Sequence, residues 1–149
     1  MRTEKLKSVA YWLTTIFGPA SFVIGGVLHL TQTDQVVTTM THLGYPVYFA
    51  SILGIWKLLG AIAIVAPGFP RLKEWAYAGF FFDLTSAAVS RAAVGDGLAD
   101  ILAPLGFLAL VLASWALRPA SRRLAAPARQ SSASAAPAHD AYLASAARI

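Results

Sequence analysis

The chain of 149 residues contains no cysteine. This absence excludes disulfide bonds, thiol redox relays and cysteine-ligated metal or iron–sulfur centres, so a redox role would need a bound organic cofactor. Charged residues are also scarce, at 13% of the chain, against about 25% in an average soluble domain. Hydrophobic residues make up 57%. This composition predicts a protein whose main partner is the lipid bilayer.

Four apolar segments, each near the roughly 20 residues that cross a hydrocarbon core, predict an all-α bundle of four transmembrane helices. We place these helices at about 8–30, 46–66, 72–91 and 100–117. Pro19 lies inside the first segment and predicts a kink, since proline cannot donate a hydrogen bond to the carbonyl of Thr15. The hydroxyls of Thr14 and Thr15 are expected to compensate. Residues 31–45 read as a polar, threonine-rich connection.

The distribution of lysine and arginine predicts the orientation of the bundle. Basic residues crowd the N-terminus, the turn after the second helix and the C-terminus, and they avoid the other two loops. By the positive-inside rule, both termini of this multi-pass membrane protein belong in the cytoplasm. These positions also account for the net charge of +5 without nucleic acid. Residues 1–118 form the predicted membrane domain, and the Ala/Ser/Pro/Arg-rich residues 119–149 a disordered tail.

Lys57 and Asp83 are the central charges of the second and third predicted helices. Counted from helix entry at about 1.5 Å per residue, each lies roughly 15 Å deep. Unpaired charges at this depth are costly, so we expect the two side chains to pair. Two interpretations stay open: the pair only fixes helix register, or it binds a polar group or moves a proton.

Small and polar residues follow Asp83 at helical spacing along the third helix. Ser86, Ala87 and Ser90 recur at i+3, i+4 and i+7, and this stripe is expected to face the bundle interior. Close packing and a cavity are both compatible with such a face.

Three further polar residues lie near the ends of the predicted helices. His29 and His42 lack the spacing of a metal motif, so no metal site is predicted. Arg91 is either an anchor for an anionic group or a side chain paired with Asp96 or Asp100.

Four stretches together resemble the DoxX-like membrane proteins of bacteria: Leu43-Gly44-Tyr45-Pro46, Leu53-Gly54-Ile55-Trp56-Lys57-Leu58-Leu59-Gly60, Lys73-Glu74-Trp75-Ala76-Tyr77-Ala78-Gly79 and Phe82-Asp83. The resemblance covers about residues 12–117 and implies a four-helix inner-membrane bundle. It marks Trp56, Lys57, Glu74 and Asp83 as site positions. Where relatives are expected to have Ser-His, this chain has Ser90-Arg91, which replaces a group that titrates near neutrality with a permanent cation.

The predicted function has two main alternatives. In the first, the chain is a small membrane subunit or accessory protein that binds a lipophilic molecule within the bundle. A quinone is one such molecule, since the family takes its name from a small subunit of a thiosulfate:quinone oxidoreductase. The predicted ligand-binding residues are Lys57, Asp83, Trp56, Ser86, Ser90, Arg91 and His29.

In the second alternative, the chain is a membrane-embedded enzyme. Asp83 is then the catalytic acid or base, and Lys57 tunes its pKa or holds an oxyanion in reactions of a lipophilic substrate, quinone-linked redox reactions included. A transporter is disfavoured by the small size of four helices. Small-residue faces are compatible with a homo-oligomer or with a partner membrane subunit.

Overall fold

The computed structural model describes residues 2–124, and all secondary structure within them is helical. The predicted all-α class is therefore confirmed for this part of the chain. Most of the predicted tail, residues 125–149, lies outside the described residues. The helices are α1 (Arg2–Phe17), α2 (Phe22–Leu30), α3 (Asp34–His42), α4 (Tyr48–Val65), α5 (Pro70–Ala93) and α6 (Leu98–Leu117), with short 3-10 turns at Pro19–Ser21 and Ala120–Arg122.

The first predicted helix is interrupted where Pro19 predicts a kink, so that α1 ends at Phe17 and α2 begins at Phe22. The hydroxyl that covers this break is that of Ser21, which donates to the carbonyls of Gly18 at 2.7 Å and Phe17 at 3.1 Å. The Thr15 hydroxyl donates instead to the Tyr11 carbonyl, a full turn earlier. The predicted interruption is confirmed, but the expected role of the threonine hydroxyls is not seen, since they donate to carbonyls of the preceding turn.

The polar connection between α2 and α4 contains a helix, α3, which the sequence analysis did not predict. Val36 and Met40, one turn apart on α3, are buried against Ala50 and Leu53 of α4. Their i, i+4 spacing is the sequence signal for this helix, and Asp34 in its first turn suits the helix dipole. Burial of these two side chains outweighs the low helix propensity of the threonines around them.

The order of packing around the bundle is α2, α4, α5, α6 and α1. The broken first segment thus contacts α6 with its α1 half and α4 with its α2 half. Close approach of α2 and α4 depends on two glycines, because a Cβ at Gly54 would lie 2.8 Å from the Gly26 carbonyl oxygen. The main core cluster comprises Phe22, Ala61, Ile64, Tyr77, Phe80, Leu84 and Val111.

Three segments of the described chain are long and apolar enough to cross a membrane: Lys5–Leu30, Tyr48–Val65 and Leu98–Leu117. Helix α5 has 24 residues but includes five charged side chains, which lower its hydropathy. Large apolar side chains point away from the core on every side of the bundle, including Ile24, Trp56 and Val89, each 68% exposed. Such a continuous apolar surface matches a lipid bilayer and not water.

Candidate functional site

Lys57 and Asp83 form the predicted ion pair between α4 and α5. The Lys57 Nζ lies 3.4 Å from Asp83 Oδ1, and the two side chains are 12% and 21% exposed. The pairing expected from their equal depth is therefore confirmed. Each charge removes much of the cost of burying the other, and the pair joins two neighbouring helices near their midpoints.

His29 on α2 brings a third helix to this region. Its Nδ1 lies 2.7 Å from the Gly25 carbonyl oxygen, which can only accept, so Nδ1 carries the proton and Nε2 of the neutral ring is an acceptor. The His29 Cβ packs on α4 at Gly54, where a Cβ would lie 3.1 Å away. Gly54 precedes Lys57 by one helical turn on α4. Three of the predicted site residues thus gather where α2, α4 and α5 meet.

A groove of about 210 Å³ lies between α2 and α3 beside His29. Polar groups from His29, Gln35 and Thr39 line it together with the apolar side chains of Leu28, Val36 and Met40. Lys57 and Asp83 do not line this groove. Apolar walls with a few converging polar groups are typical of sites for small lipophilic molecules.

Two predicted site residues lie elsewhere. Trp56 is 68% exposed on the outer surface of α4. Ser86 is also exposed, whereas Asp83, Ala87 and Ser90 are half-buried, so the predicted stripe lies beside the buried face of α5 and only part of it faces inward. The buried face of α5 consists instead of Lys73, Tyr77, Phe80, Leu84 and Ala88. Large aromatic side chains packed between α4 and α6 decide which face of α5 is buried, and the small residues occupy its flank.

Ser90 and Arg91 belong to a separate polar cluster at the C-terminal end of α5, which we call the distal cluster. Arg91 Nη1 lies 2.9 Å from Asp96 Oδ2 and 3.8 Å from Asp100 Oδ1. His42 Nε2 donates to Asp96 Oδ1 at 2.6 Å. Of the two interpretations of Arg91, the structure has the one in which it pairs with both carboxylates.

The distal cluster ties α3 to the turn between α5 and α6. The Tyr45 and Ser90 hydroxyls share a second hydrogen bond across the same junction, at 2.8 Å. The hydrogen bond from His42 is the largest cause of the lowered pKa of Asp96; desolvation opposes it, and the hydrogen bond and charge of Arg91 lower the pKa further. The cluster lies roughly 12 Å along α5 from Asp83, so Ser90 and Arg91 are not part of the site around Lys57.

The opposite end of the bundle, formed by the start of α1, the α4–α5 turn and the end of α6, holds a polar network that sequence reasoning missed. We call it the basic end. Lys73 is only 1% exposed, and its Nζ donates to the carbonyls of Ala63 at 2.8 Å and Ile64 at 2.9 Å, and to that of Ala66. Arg122 donates to the carbonyls of Ile64 and Val65. Two cations therefore satisfy the carbonyls that the end of α4 leaves open.

Glu74, which the family resemblance marks as a site position, is the anionic partner at the basic end. It accepts from Arg118 Nη2 at 2.8 Å and from Trp115 Nε1 at 2.8 Å. The Arg118 guanidinium carbon also lies 5.0 Å from the centre of the Tyr77 ring. These contacts lock the start of α5 to the end of α6, so Glu74 has a structural role.

A chain of buried hydroxyls continues this network inward. The Ser114 hydroxyl lies 2.7 Å from that of Thr15 and 2.8 Å from that of Tyr77, and so links α6 to α1 and α5. The sequence signal for this network was the i, i+4 spacing of Lys73 and Tyr77, which places both on one face of α5. The interpretation of Lys73 as a topology signal concealed it.

Comparison with known proteins identifies the family of the chain. Among the side chains of residues 5–124, no three from histidine and acidic residues are close enough to hold a metal ion. No curated protein and no solved structure matches the chain significantly. The sequence model of the DoxX-like family matches residues 8–114, which include the Lys57–Asp83 pair, His29 and Glu74. This membrane protein therefore belongs to the DoxX-like family.

Proposed function

We propose that this DoxX-like protein crosses the bacterial inner membrane four times with both termini in the cytoplasm. We further propose that it is an accessory protein or small subunit that binds a lipophilic molecule with a hydroxyl or carbonyl head, such as a quinone. The observation that carries the binding proposal is His29, which lines an apolar groove on one side and lies against the helix that bears Lys57 on the other.

The length of α5 supports a fourth span. Its 24 residues extend about 36 Å, enough for a hydrocarbon core of about 30 Å. Its central charge, Asp83, is neutralised by Lys57, and its remaining charged residues lie near its two ends. A paired charge at mid-depth is much less costly than an isolated one.

The charge asymmetry between the two ends supports the orientation. Among the described residues, the distal end carries Arg91 as its only lysine or arginine. The basic end carries Lys5, Lys7, Arg71, Lys73, Arg118, Arg122 and Arg123. Such an asymmetry favours a cytoplasmic basic end.

The chemistry of the groove suits a ligand with a hydroxyl or carbonyl head. The neutral His29 ring offers Nε2 as an acceptor for a hydroxyl, and Gln35 offers both an amide donor and a carbonyl acceptor. A quinol hydroxyl can donate a hydrogen bond to His29 Nε2, and a quinone carbonyl can accept one from the Gln35 amide. The Lys57–Asp83 pair, in this proposal, holds α4 against α5 and so supports the side of α4 on which His29 packs.

The absence of cysteine gives a direct test of the topology. Pro67→Cys, Ala93→Cys and Ser121→Cys each add one thiol at an exposed position outside the apolar segments. A membrane-impermeant maleimide should label Ala93→Cys in intact spheroplasts, and Pro67→Cys and Ser121→Cys only in inverted vesicles. Labelling of Pro67→Cys and Ala93→Cys from the same side would contradict a spanning α5. Labelling of Ser121→Cys from outside would contradict the orientation.

Native mass spectrometry of the detergent-released protein, with extraction and identification of what it retains, tests the ligand. We expect a stoichiometric lipophilic molecule on the wild type that is lost from His29→Leu. His42→Gln is the matched control, because it also removes an imidazole but lies in the distal cluster. Equal retention by His29→Leu, or a wild type that carries only bulk phospholipid, would rule out the proposed groove.

A further inference from the structure

Helix α3 forms one wall of the groove beside His29. Its residues Gln35, Val36, Thr39 and Met40 line the groove opposite three residues of α2. The groove has a volume of about 210 Å³, whereas sites for small molecules usually have about 300–1,000 Å³. A ligand of the size of a quinone therefore needs more room than this arrangement gives, and an outward movement of α3 would supply it.

The two ends of α3 are suited to such a movement. Gln32 before the helix and Gly44 after it have positive φ angles of 47° and 76°. Each turn is attached to the bundle, because Gln32 donates to Ser51 Oγ of α4 at 3.0 Å and Tyr45 shares its hydrogen bond with Ser90 of α5. Hinges are usually a few residues at the ends of an element. Helix α3 can therefore turn between two anchored hinges.

The C-terminal end of α3 is fastened to the turn between α5 and α6 by His42. Among the described residues, its bond to Asp96 Oδ1 at 2.6 Å is the only side-chain hydrogen bond that leaves α3, since the hydroxyls of Thr39 and Thr41 donate to carbonyls of α3 itself. Arg91 holds the Asp96 carboxylate from the other side. The His42 side chain is 51% exposed, so water competes for this bond. We call the His42–Asp96 bond the latch.

The apolar contacts of α3 can be exchanged for contacts with a ligand. Val36 and Met40 are the buried side chains of α3, and they pack against Ala50 and Leu53 of α4. The same two side chains also line the groove. A lipophilic molecule in a widened groove would cover the apolar surface that they lose on α4. The latch has no such replacement, so it is the contact that a ligand must break.

We infer that α3 is a lid over the groove beside His29, and that the latch keeps this lid closed until a lipophilic ligand enters. The latch and the bound ligand exclude each other, because α3 must leave Asp96 for the groove to widen. Removal of the latch should therefore tighten ligand binding, since a larger fraction of the protein is then ready to bind. A bond that only stabilises the groove would have the opposite effect. This inference rests on the proposed function, because it concerns the same groove.

Because the chain has no cysteine, a pair of spin labels can report the position of the lid without any ligand. Thr38→Cys on α3 and Val89→Cys on α5 place nitroxide labels at two exposed positions, and double electron–electron resonance measures the distance between them. We expect His42→Leu to add a second distance population, shifted by more than about 2 Å. Asp96→Asn, which weakens the latch from the other side, should add a smaller second population.

Thr41→Val is the matched control, because it changes the neighbouring exposed side chain and leaves the latch intact. His42→Gln, whose amide can still donate to Asp96, should also keep the distance of the wild type. Melting temperatures report whether each variant remains folded. Distances that are unchanged in both His42→Leu and Asp96→Asn would overturn the inference.

Isothermal titration of the full chain in detergent with decylubiquinone, a quinone with a short apolar tail, tests whether the lid controls the groove. We expect His42→Leu to bind it about tenfold more tightly than the wild type does, equivalent to about 1.4 kcal/mol, through loss of a hydrogen bond to a charged group. Equal or weaker binding by a folded His42→Leu would overturn the inference. If neither protein binds decylubiquinone, the proposed quinone function fails, whereas the movement of α3 stands or falls with the spin-label distances.

Discussion

Removing one partner of the Lys57–Asp83 pair should destabilise the protein much more than removing both. Lys57→Met leaves the Asp83 carboxylate without its cation, and Asp83→Asn leaves the Lys57 ammonium without its anion. Insertion scales give about 2.5–3.5 kcal/mol for an isolated charge at the centre of a membrane helix. Because the side chains remain 12% and 21% exposed, we expect about 2–3 kcal/mol for each single variant.

The double variant should lie within about 1 kcal/mol of the wild type, because no charge remains to be buried unpaired. The coupling energy between the two sites is then about 3 kcal/mol or more. Unfolding of the four proteins in mixed micelles with increasing dodecyl sulfate, followed by tryptophan fluorescence, measures it. Ser86→Ala, an exposed change one turn from Asp83, should have no effect.

Additive losses, with a coupling energy below about 0.5 kcal/mol, would show that the two charges do not stabilise each other. The same variants separate the two interpretations of the pair. A folded double variant that still retains the lipophilic molecule would limit Lys57 and Asp83 to helix register. A folded double variant that has lost the molecule would give the pair a direct part in binding.

Two further predictions concern helix packing and pH. Gly54→Ala should destabilise the protein by about 1–2 kcal/mol, because steric strain of about 1–3 kcal/mol exceeds the gain in helix propensity. Gly106→Ala, where a Cβ meets nothing within 4 Å, should be neutral or slightly stabilising, and a similar loss in both would refute the close crossing of α2 and α4. The lowered pKa of Asp96 means that its bonds to His42 and Arg91 stabilise the fold above its unfolded pKa of about 3.9, and that this contribution disappears as pH falls below that value. Below about pH 4, the melting temperature of the wild type should fall relative to that of Asp96→Asn. Parallel pH profiles of the two melting temperatures would contradict this role.

The sequence predicted the helices better than it predicted their faces. The break at Pro19 and the ends of α4, α5 and α6 follow from local rules, because proline interrupts a helix and apolar length sets a span. Helix α3 was missed because its threonines resemble a loop, although Val36 and Met40 have helical spacing. The burial of Tyr77 and the exposure of Ser86 depend on which neighbours flank α5, and no local pattern contains that information.

The candidate sites divide in the same way. Pairing of Lys57 with Asp83 was predictable, since two opposite charges at equal depth have few alternatives in an apolar bundle. The sequence offered pairing of Arg91 with Asp96 or Asp100 as one of two alternatives, and only the structure decided for it. The groove beside His29 depends on the packing of α3. Burial of Lys73 was also hidden, because a lysine beside a turn ordinarily stays in the interface as a topology signal.

The sequence by itself determined that this is a helical membrane protein of the DoxX-like family with one pair of opposite charges, Lys57 and Asp83, at its centre. Composition, segment length and motif are properties of the chain itself, and the first two set how each segment partitions between water and bilayer. Only the tertiary structure decided that His29 borders a groove and that His42 fastens its other wall, α3, to the turn between α5 and α6. Sites of this kind arise where helices distant in sequence meet, and their geometry depends on side-chain packing across those contacts.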